Sequence, residues 1–212
     1  MAGPLTFRSV HEGLLSPLDM VLVDRRRAPL LARATGRVLE LGGGHGANLE
    51  HYGTAVTIVD LLGVEPRARA AVGRAASSGP VTAQLLGDRV ALSTLDPGSY
   101  DTVVATFVLC AVEDLDTTLA DIARALAPGG NLLFFEHVPS TGGRSLVRAL
   151  AAPAWAIASG GCDLTCDVPA AITSAGFLIT TLERSTVPTF NLSLRAVAAG
   201  LARRPSETAV ST

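Results

Sequence analysis

The fold of this 212-residue chain is indicated most clearly by the segment Val38-Leu39-Glu40-Leu41-Gly42-Gly43-Gly44-His45-Gly46. Its apolar start is typical of a strand, and its glycines let the backbone turn tightly and approach a ligand closely. Dinucleotide-binding proteins use related loops, and a glycine-rich strand exit can also be a plain turn. Glu40 favours another ligand, because a carboxylate two residues before the first glycine suits a cationic amino-acid group better than a pyrophosphate.

Short apolar segments alternate with Ala- and Arg-rich helical segments on both sides of this loop. Such alternation indicates a mostly parallel sheet with helices on both faces, because right-handed crossovers join its strands. We therefore predict an α/β protein with an open, doubly wound sheet. The expected strands are residues 37–41, 55–65, 81–86, 100–108, 131–136 and 177–182, with a last strand at 194–202, and the expected helices include residues 14–34 and 116–126.

The length and composition fit one globular domain. A chain of this length buries roughly 70% of the surface of its unfolded form. Hydrophobic residues make up 48% of the sequence and charged residues 17%, which excludes a disordered protein. We assign residues 1–204 to the domain, with N-terminal helices in residues 1–35, and residues 205–212 to a polar tail.

The charge and the cysteine content limit the kinds of molecule that the protein is expected to bind. Lys and Arg total 17 against 19 Asp and Glu, with no long basic run, so we expect no nucleic-acid partner. The three cysteines form no paired framework, and no second Cys/His pair lies near Cys162 and Cys166 in the sequence, so we predict no metal. We see no signal peptide, and the most apolar stretch, residues 149–161, is too short to span a bilayer. We expect a cytoplasmic protein, monomeric or homodimeric.

Four sequence blocks, taken in order, resemble the class I S-adenosylmethionine-dependent methyltransferases. The resemblance runs from about residue 36 to residue 182, and more weakly to residue 204. It implies a Rossmann-like domain with a seven-stranded sheet that binds S-adenosylmethionine and releases S-adenosylhomocysteine. The blocks are residues 38–48, Gly63-Val64-Glu65-Pro66, Leu126-Ala127-Pro128-Gly129-Gly130 and Leu133-Phe134-Phe135-Glu136-His137-Val138.

Within that superfamily, the chain looks most like the small-molecule branch that contains the alkyl-thiol methyltransferases. The ubiquinone and menaquinone methyltransferases are more distant. This resemblance implies a small, lipophilic acceptor, with a thiol favoured over a hydroxyl or an amine. It is carried by Gly44-His45-Gly46-Ala47-Asn48, Val108-Leu109-Cys110-Ala111-Val112, Glu136-His137-Val138 and Gly161-Cys162-Asp163-Leu164-Thr165.

The chemistry and the resemblance together indicate which residues contact the cofactor. A carboxylate after the second strand can accept hydrogen bonds from both ribose hydroxyls. We favour Glu65 over Asp60, because choosing Asp60 leaves the apolar residues 61–64 in a turn. The resemblance assigns Asp88 to the adenine amino group, although Asp88 can equally be a helix N-cap. The full set is Glu40, Gly42, Gly43, Gly44, Gly46, Asn48, Glu65 with Asp60 as its alternative, Asp88 and Thr106.

The acceptor is expected beyond the carboxyl ends of the fourth and fifth strands. His137 is the candidate general base for a thiol or hydroxyl, and the alternative is a structural hydrogen bond at the strand end. Residues 144–165 form the predicted acceptor lid, although an apolar helix there can also complete the core or a dimer face. The predicted acceptor contacts are Phe107, Trp155, Cys162 and Asp163, of which Phe107 and Cys162 can equally be ordinary buried residues.

Three classes of function fit these residues. We predict a methyltransferase, with two alternatives: an enzyme that holds S-adenosylmethionine but catalyses rearrangement or cyclisation, and a non-catalytic partner subunit. Glu40 and Glu65 argue against the subunit, because a scaffold has no need of a cofactor's polar contacts. Methyl transfer from a sulfonium is downhill, so alignment of the reacting atoms at about 3 to 3.5 Å and exclusion of water are its main requirements.

Overall fold

The order of helices and strands follows the predicted alternation. The structure is a computed structural model that describes residues 17–64, 66, 68–87, 90–139, 162–186 and 196–206, with side chains from residue 23 onward. The strands are β1 (Gly36–Leu41), β2 (Val56–Leu62), β3 (Ala83–Leu85), β4 (Tyr100–Thr106), β5 (Leu126–His137), β6 (Leu178–Thr186) and β7 (Ala196–Arg203). The α-helices are α1 (Pro17–Leu31), α2 (Arg69–Ser78), α3 (Leu115–Ala125) and α4 (Val168–Ser174).

The seven strands form one sheet in the order β3-β2-β1-β4-β5-β7-β6. The first five strands are parallel, and β7 runs antiparallel to both β5 and β6. This confirms the predicted seven-stranded, mostly parallel, doubly wound sheet. The strand order reverses between β1 and β4, and ligands of such sheets bind beyond the carboxyl ends of the strands at that reversal.

Alternating side chains of the strands serve two hydrophobic cores, one on each face of the sheet. Leu39 of β1 faces the core that also contains Ile122 of α3, whereas its neighbour Val38 faces the core that contains Val72 of α2. Both faces of β1 are therefore buried, as its mostly apolar sequence predicts for a central parallel strand. Helix α3 begins after Asp114, whose carboxylate accepts a hydrogen bond from the Thr117 N–H at 2.9 Å.

Two strands, β2 and β4, end earlier than the sequence predicts, and both of these ends lie beside the candidate site. β2 was expected to reach residue 65 but ends at Leu62, because Gly63 adopts a φ of 76°. β4 was expected to reach residue 108 but ends at Thr106, because Phe107 adopts a φ of 56°. The insertion at residues 144–161 lies outside the described residues. Within the described part of the chain, no helix combines the length and apolarity that a membrane span requires.

Candidate active site

The glycine loop after β1 lies at the strand-order reversal and requires glycine for two separate reasons. Gly42, Gly43, Gly44 and Gly46 have φ values of 86°, 53°, 43° and 86°, in the left-handed region that residues with a Cβ rarely adopt. A Cβ on Gly43 would lie 2.8 Å from the Val64 side chain, and a Cβ on Gly46 would lie 2.8 Å from that of Ala75. The loop thus packs closely against the segment after β2 and against α2.

Glu40 lies just before this loop and is held by two side chains. It is 1% exposed; the Tyr52 hydroxyl donates a hydrogen bond to its Oε2 at 2.7 Å, and the Asn48 amide donates to its Oε1 at 3.1 Å. Burial raises the pKa of Glu40 to about 7, and these hydrogen bonds together with the nearby Arg27 oppose the rise. A bound cation would restore the ionised carboxylate.

Asn48 connects the glycine loop to the end of β4. Its amide also donates to the Thr106 hydroxyl at 3.1 Å, while its Oδ1 is buried without a hydrogen-bond partner among the described residues. A buried acceptor next to a buried carboxylate is a site that an ammonium group would satisfy. The residues present therefore fit the amino-acid end of S-adenosylmethionine at Glu40 and Asn48.

Arg27 of α1 adds a cation that the sequence analysis missed. Its side chain is 11% exposed, it pairs with Asp24 at 3.2 Å, and its Nε has no hydrogen-bond partner among the described residues. Burial lowers its pKa, and Asp24 and then Glu40 oppose that shift most strongly. The Arg25-Arg26-Arg27 run resembles a solvated face, but the spacing from buried Val23 to Arg27 and on to buried Leu31 indicates the inward position.

Asp60, the alternative ribose ligand, lies within β2 rather than after its end. It is fully buried within β2, where its Oδ2 accepts from the Arg37 guanidinium at 2.6 Å and the Tyr100 hydroxyl at 3.0 Å. Its Oδ1 accepts from the Gln84 amide at 2.6 Å. This network engages both carboxylate oxygens with protein groups and argues against Asp60 as the ribose ligand. Glu65 and Asp88 lie outside the described residues, so their roles stay predictions.

Glu136, near the end of β5, fixes the turn that follows β4. Its Oε1 accepts from the backbone N–H groups of Val108 and Leu109 at 3.0 and 2.9 Å, and its Oε2 from that of Cys110 at 3.2 Å. Burial raises its pKa to about 7, and the three backbone hydrogen bonds oppose the rise. Glu136 therefore makes structural hydrogen bonds at the end of β5, the kind of role that was considered as the alternative for His137. An acid inside the apolar run 132–138 was the available sequence signal.

Phe107 carries backbone strain at the same turn. It has a φ of 56° in a residue with a Cβ, and its N–H donates to the Phe135 carbonyl at 2.8 Å. Its ring lies 4.7 Å from the Phe135 ring and 4.6 Å from the His137 ring, measured between centroids. The turn thus presents an aromatic group beside His137 at the carboxyl ends of β4 and β5.

His137 lies beside two cysteines. Its Nδ1 is 3.7 Å from the Cys110 sulfur and 3.6 Å from the Cys162 sulfur, and the two sulfurs are 3.3 Å apart. His137, Cys110 and Cys162 are 3%, 2% and 0% exposed. The cysteines come from the turn after β4 and from the segment before α4, at sequence separations that no local pattern links. His137 as a general base stays a prediction, and its Nδ1 faces these thiols.

Of the other two predicted acceptor contacts, the structure describes Asp163 but not Trp155. Asp163 is exposed, and its carboxylate accepts from the Thr165 N–H at 2.8 Å and from the Thr165 hydroxyl at 2.6 Å. Its own N–H donates to the Cys110 carbonyl at 2.6 Å, which joins the segment around Cys162 to the turn after β4. Trp155 and most of the predicted lid lie outside the described residues.

Comparison with protein families agrees with this geometry. Residues 21–166 match a family model described as a methyltransferase domain. The chain belongs to this family, and it is a class I S-adenosylmethionine-dependent methyltransferase. S-adenosylmethionine is its cofactor and S-adenosylhomocysteine its product.

Among individual relatives, human thiol S-methyltransferase TMT1B is 32% identical over 170 residues, 74% of this chain and 67% of the human protein. The rat TMT1B protein is 33% identical over 156 residues, 69% of this chain and 62% of its own length. The solved structure of the N-methyltransferase NodS from Bradyrhizobium japonicum with S-adenosylhomocysteine has a TM-score of 0.66 at 19% identity, over 95% of this chain and 100% of that chain. At that identity the structural likeness shows the fold alone.

Proposed function

We propose that this methyltransferase transfers the methyl group of S-adenosylmethionine to the sulfur of a small, lipophilic thiol in the cytoplasm. The observation that carries the proposal is the 32% identity to human thiol S-methyltransferase TMT1B over 74% of this chain. The aromatic and sulfur-rich surroundings of His137 support it, because they suit an apolar acceptor with a soft nucleophilic atom.

The cofactor's amino-acid end lies, in this proposal, against Glu40, Asn48 and Arg27. Glu40 and the unpartnered Oδ1 of Asn48 accept from its ammonium group, and Arg27 pairs with its carboxylate. The glycines at 42, 43, 44 and 46 and Thr106 line the remaining approach. Glu65 holds the ribose hydroxyls and Asp88 the adenine amino group, as the resemblance implies.

The acceptor approaches the methyl group from the ends of β4 and β5. Phe107 and Trp155 supply apolar walls, Cys162 and Asp163 line the approach, and residues 144–165 close over it to exclude water. His137 activates the thiol, because a thiolate is a far stronger nucleophile than a thiol. Residues 1–204 supply the whole site as one domain.

A product assay tests the transfer and the acceptor class together. The purified protein is incubated with S-adenosylmethionine and matched pairs of acceptors, thiophenol with phenol and an alkyl thiol with the corresponding amine. We expect S-methyl products and S-adenosylhomocysteine in equal amounts from the thiols. Methylation of phenol or amine alone would overturn the thiol assignment. Conversion of a substrate without S-adenosylhomocysteine would indicate rearrangement or cyclisation.

His137→Ala tests the activating role. We expect turnover of thiophenol to fall by roughly 100-fold, within the range usual for loss of one acid–base group. Binding of S-adenosylhomocysteine, measured by isothermal titration, should stay unchanged, because Glu40 and Asn48 are intact. Asp116→Ala, an exposed residue in the first turn of α3 and away from the glycine loop, is the control. Unchanged turnover in His137→Ala would remove His137 from the reaction.

A further inference from the structure

Two sulfur atoms and one imidazole nitrogen, all possible metal ligands, meet at the carboxyl ends of β4 and β5. The sulfurs of Cys110 and Cys162 and Nδ1 of His137 all lie within 4.8 Å of one another. The three residues are at most 3% exposed. Thiolate sulfur and imidazole nitrogen are the donors that zinc and other thiophilic cations prefer.

The distances can be compared with those of a zinc site. With bonds of about 2.3 Å to sulfur and about 2.05 Å to nitrogen at tetrahedral angles, two sulfurs lie about 3.8 Å apart and a sulfur and a nitrogen about 3.6 Å apart. The observed sulfur–nitrogen distances are 3.7 and 3.6 Å, and the sulfur–sulfur distance is 3.3 Å. A disulfide requires a sulfur–sulfur distance of about 2.05 Å, so the triad lies closer to the zinc geometry.

The surrounding contacts hold these ligands in place. Glu136 fixes the backbone N–H of Cys110, and the Asp163 N–H donates to the Cys110 carbonyl at 2.6 Å. The Phe107 ring packs on the His137 ring at 4.6 Å. Such outer contacts orient metal ligands in known sites, and their loss weakens metal binding.

Three protein ligands leave one position of a tetrahedral site for a further ligand. No fourth His, Cys, Asp or Glu joins the group among the described residues. Residues 140–161, which include the insertion and lie outside the described residues, contain none of these four residue types in their sequence. Three protein ligands with one open position are typical of catalytic zinc sites, whereas structural sites are closed by four.

We propose that Cys110, His137 and Cys162 bind one thiophilic cation, zinc by preference, whose open position takes the acceptor's sulfur as a thiolate. The second half of this proposal rests on the thiol acceptor proposed above. When the thiol coordinates the cation it releases its proton to solvent, and His137 then acts as a ligand of the cation in place of the general base considered above. Its sulfur then forms a bond to the methyl carbon, while the bond between that carbon and the sulfonium sulfur breaks and leaves its electron pair there. The products are a neutral methyl thioether, which is a poor ligand and dissociates, and S-adenosylhomocysteine.

Cobalt(II) titration of the reduced, metal-depleted full chain tests the site. We expect one equivalent to bind with the near-ultraviolet charge-transfer absorption of thiolate ligands and the visible bands of a tetrahedral ion. Cys110→Ala and Cys162→Ala should each weaken binding on the order of 100-fold, and Cys166→Ala, the remaining cysteine, should leave it unchanged. Unchanged binding of S-adenosylhomocysteine verifies the fold of each variant, and Cys162→Ala alone suffices where Cys110→Ala does not fold.

Two results would overturn the metal site. One is a cobalt spectrum of the wild-type protein without thiolate absorption, or thiolate absorption that persists when both Cys110 and Cys162 are replaced by Ala. The other is a fall from three reactive thiols to one in the denatured protein prepared without reductant, which would show that Cys110 and Cys162 form a disulfide instead.

The open position is tested on the cobalt-loaded protein with thiophenol and with phenol, which has the same shape. Thiophenol should shift the visible bands in a saturable way, and phenol should leave them unchanged. Cobalt binding without a thiophenol shift would refute the coordinated acceptor and leave only the cation. The proposed function fails independently of the metal site. It would be refuted if the zinc-loaded protein formed no S-methyl product, whatever the cobalt spectrum shows.

Discussion

Glu40 and Glu136 are buried carboxylates next to the carboxyl ends of two parallel strands of one sheet, and burial raises the pKa of each to about 7. Their partners differ. Glu40 accepts from two side chains, those of Tyr52 and Asn48, whereas Glu136 accepts from three consecutive backbone N–H groups. The first arrangement is built from groups that can adjust to a ligand, and the second from groups that fix a turn.

The difference shows how the same residue type serves binding in one place and architecture in another. Beside Glu40, the Oδ1 of Asn48 and the Nε of Arg27 are buried without hydrogen-bond partners in the described part of the chain, so polar capacity is left for a charged ligand. Around Glu136, three backbone donors converge on the carboxylate and keep Cys110 beside His137. Loss of Glu40 should therefore weaken cofactor binding, and loss of Glu136 should weaken the fold.

The largest expected effect is that of Glu40→Ala on cofactor binding. We expect the dissociation constant for S-adenosylhomocysteine to rise at least 100-fold, because a buried ammonium group loses its charged partner, worth about 3 kcal/mol. Isothermal titration measures it. Exposed Glu50→Ala, in the short helical turn after the loop, is the control. A rise below threefold would show that Glu40 serves the fold alone.

Glu136→Gln should lower the stability of the fold and leave cofactor binding nearly unchanged, the reverse of what we expect for Glu40→Ala. An amide presents a donor where the carboxylate accepted from a backbone N–H, so the unfolding free energy should fall by about 2 kcal/mol. Urea denaturation measures this, with exposed Glu113→Gln as the matched control. The dissociation constant for S-adenosylhomocysteine should change less than threefold. Weaker cofactor binding at unchanged stability would reverse the roles assigned to the two carboxylates.

The sheet and the glycine loop were predictable because they depend on local patterns. Continuous apolar runs located the buried parallel strands, and β1 was predicted within one residue of its observed bounds. The glycines and Glu40 indicated the cofactor because the loop and its carboxylate lie within nine residues of sequence. Glu136 was detectable in principle, since an acid inside an apolar strand needs buried partners.

Long-range contacts and backbone strain were not predictable from these patterns. Cys110, His137 and Cys162 come together only because β4, β5 and the segment before α4 end at one edge of the sheet. No residue type indicates the positive φ of Phe107, since the surrounding contacts impose it. Arg27 was not singled out because its charged neighbours Arg25 and Arg26 resemble a solvated face, although helical periodicity places it between Val23 and Leu31.

A smaller effect separates Glu65 from Asp60. Glu65→Ala should raise the dissociation constant for S-adenosylhomocysteine roughly 20-fold, as expected for lost hydrogen bonds to a charged group, and leave the unfolding free energy unchanged. Asp60→Asn should keep the binding and lower the unfolding free energy, because its oxygens serve Arg37, Tyr100 and Gln84. Titration and urea denaturation of both variants decide between them. Loss of binding in Asp60→Asn alone would make Asp60 the ribose ligand.

The smallest expected effect is the pH dependence of cofactor binding. We expect it to depend on Glu40 and not on Glu136. The pKa of Glu40 in the ligand-free protein is raised from 4.5 to about 7, so its contribution to stability is complete below 4.5 and is lost as the pH rises through 7. A bound ammonium group favours the ionised form. At pH 6, about nine-tenths of Glu40 must release a proton on binding, which weakens binding roughly tenfold relative to pH 8.

Isothermal titration with S-adenosylhomocysteine in two buffers of different ionisation enthalpy measures both the affinity and the released proton at pH 6 and pH 8. Glu40→Gln should abolish the excess proton release, and because the ligand's own amino group titrates identically against both proteins, the difference isolates Glu40. Glu136 has the same raised pKa but contacts no ligand in the proposed site, so its protonation cancels between the free and bound protein. Equal proton release by the wild type and Glu40→Gln at pH 6 would mean that the cation does not reach Glu40.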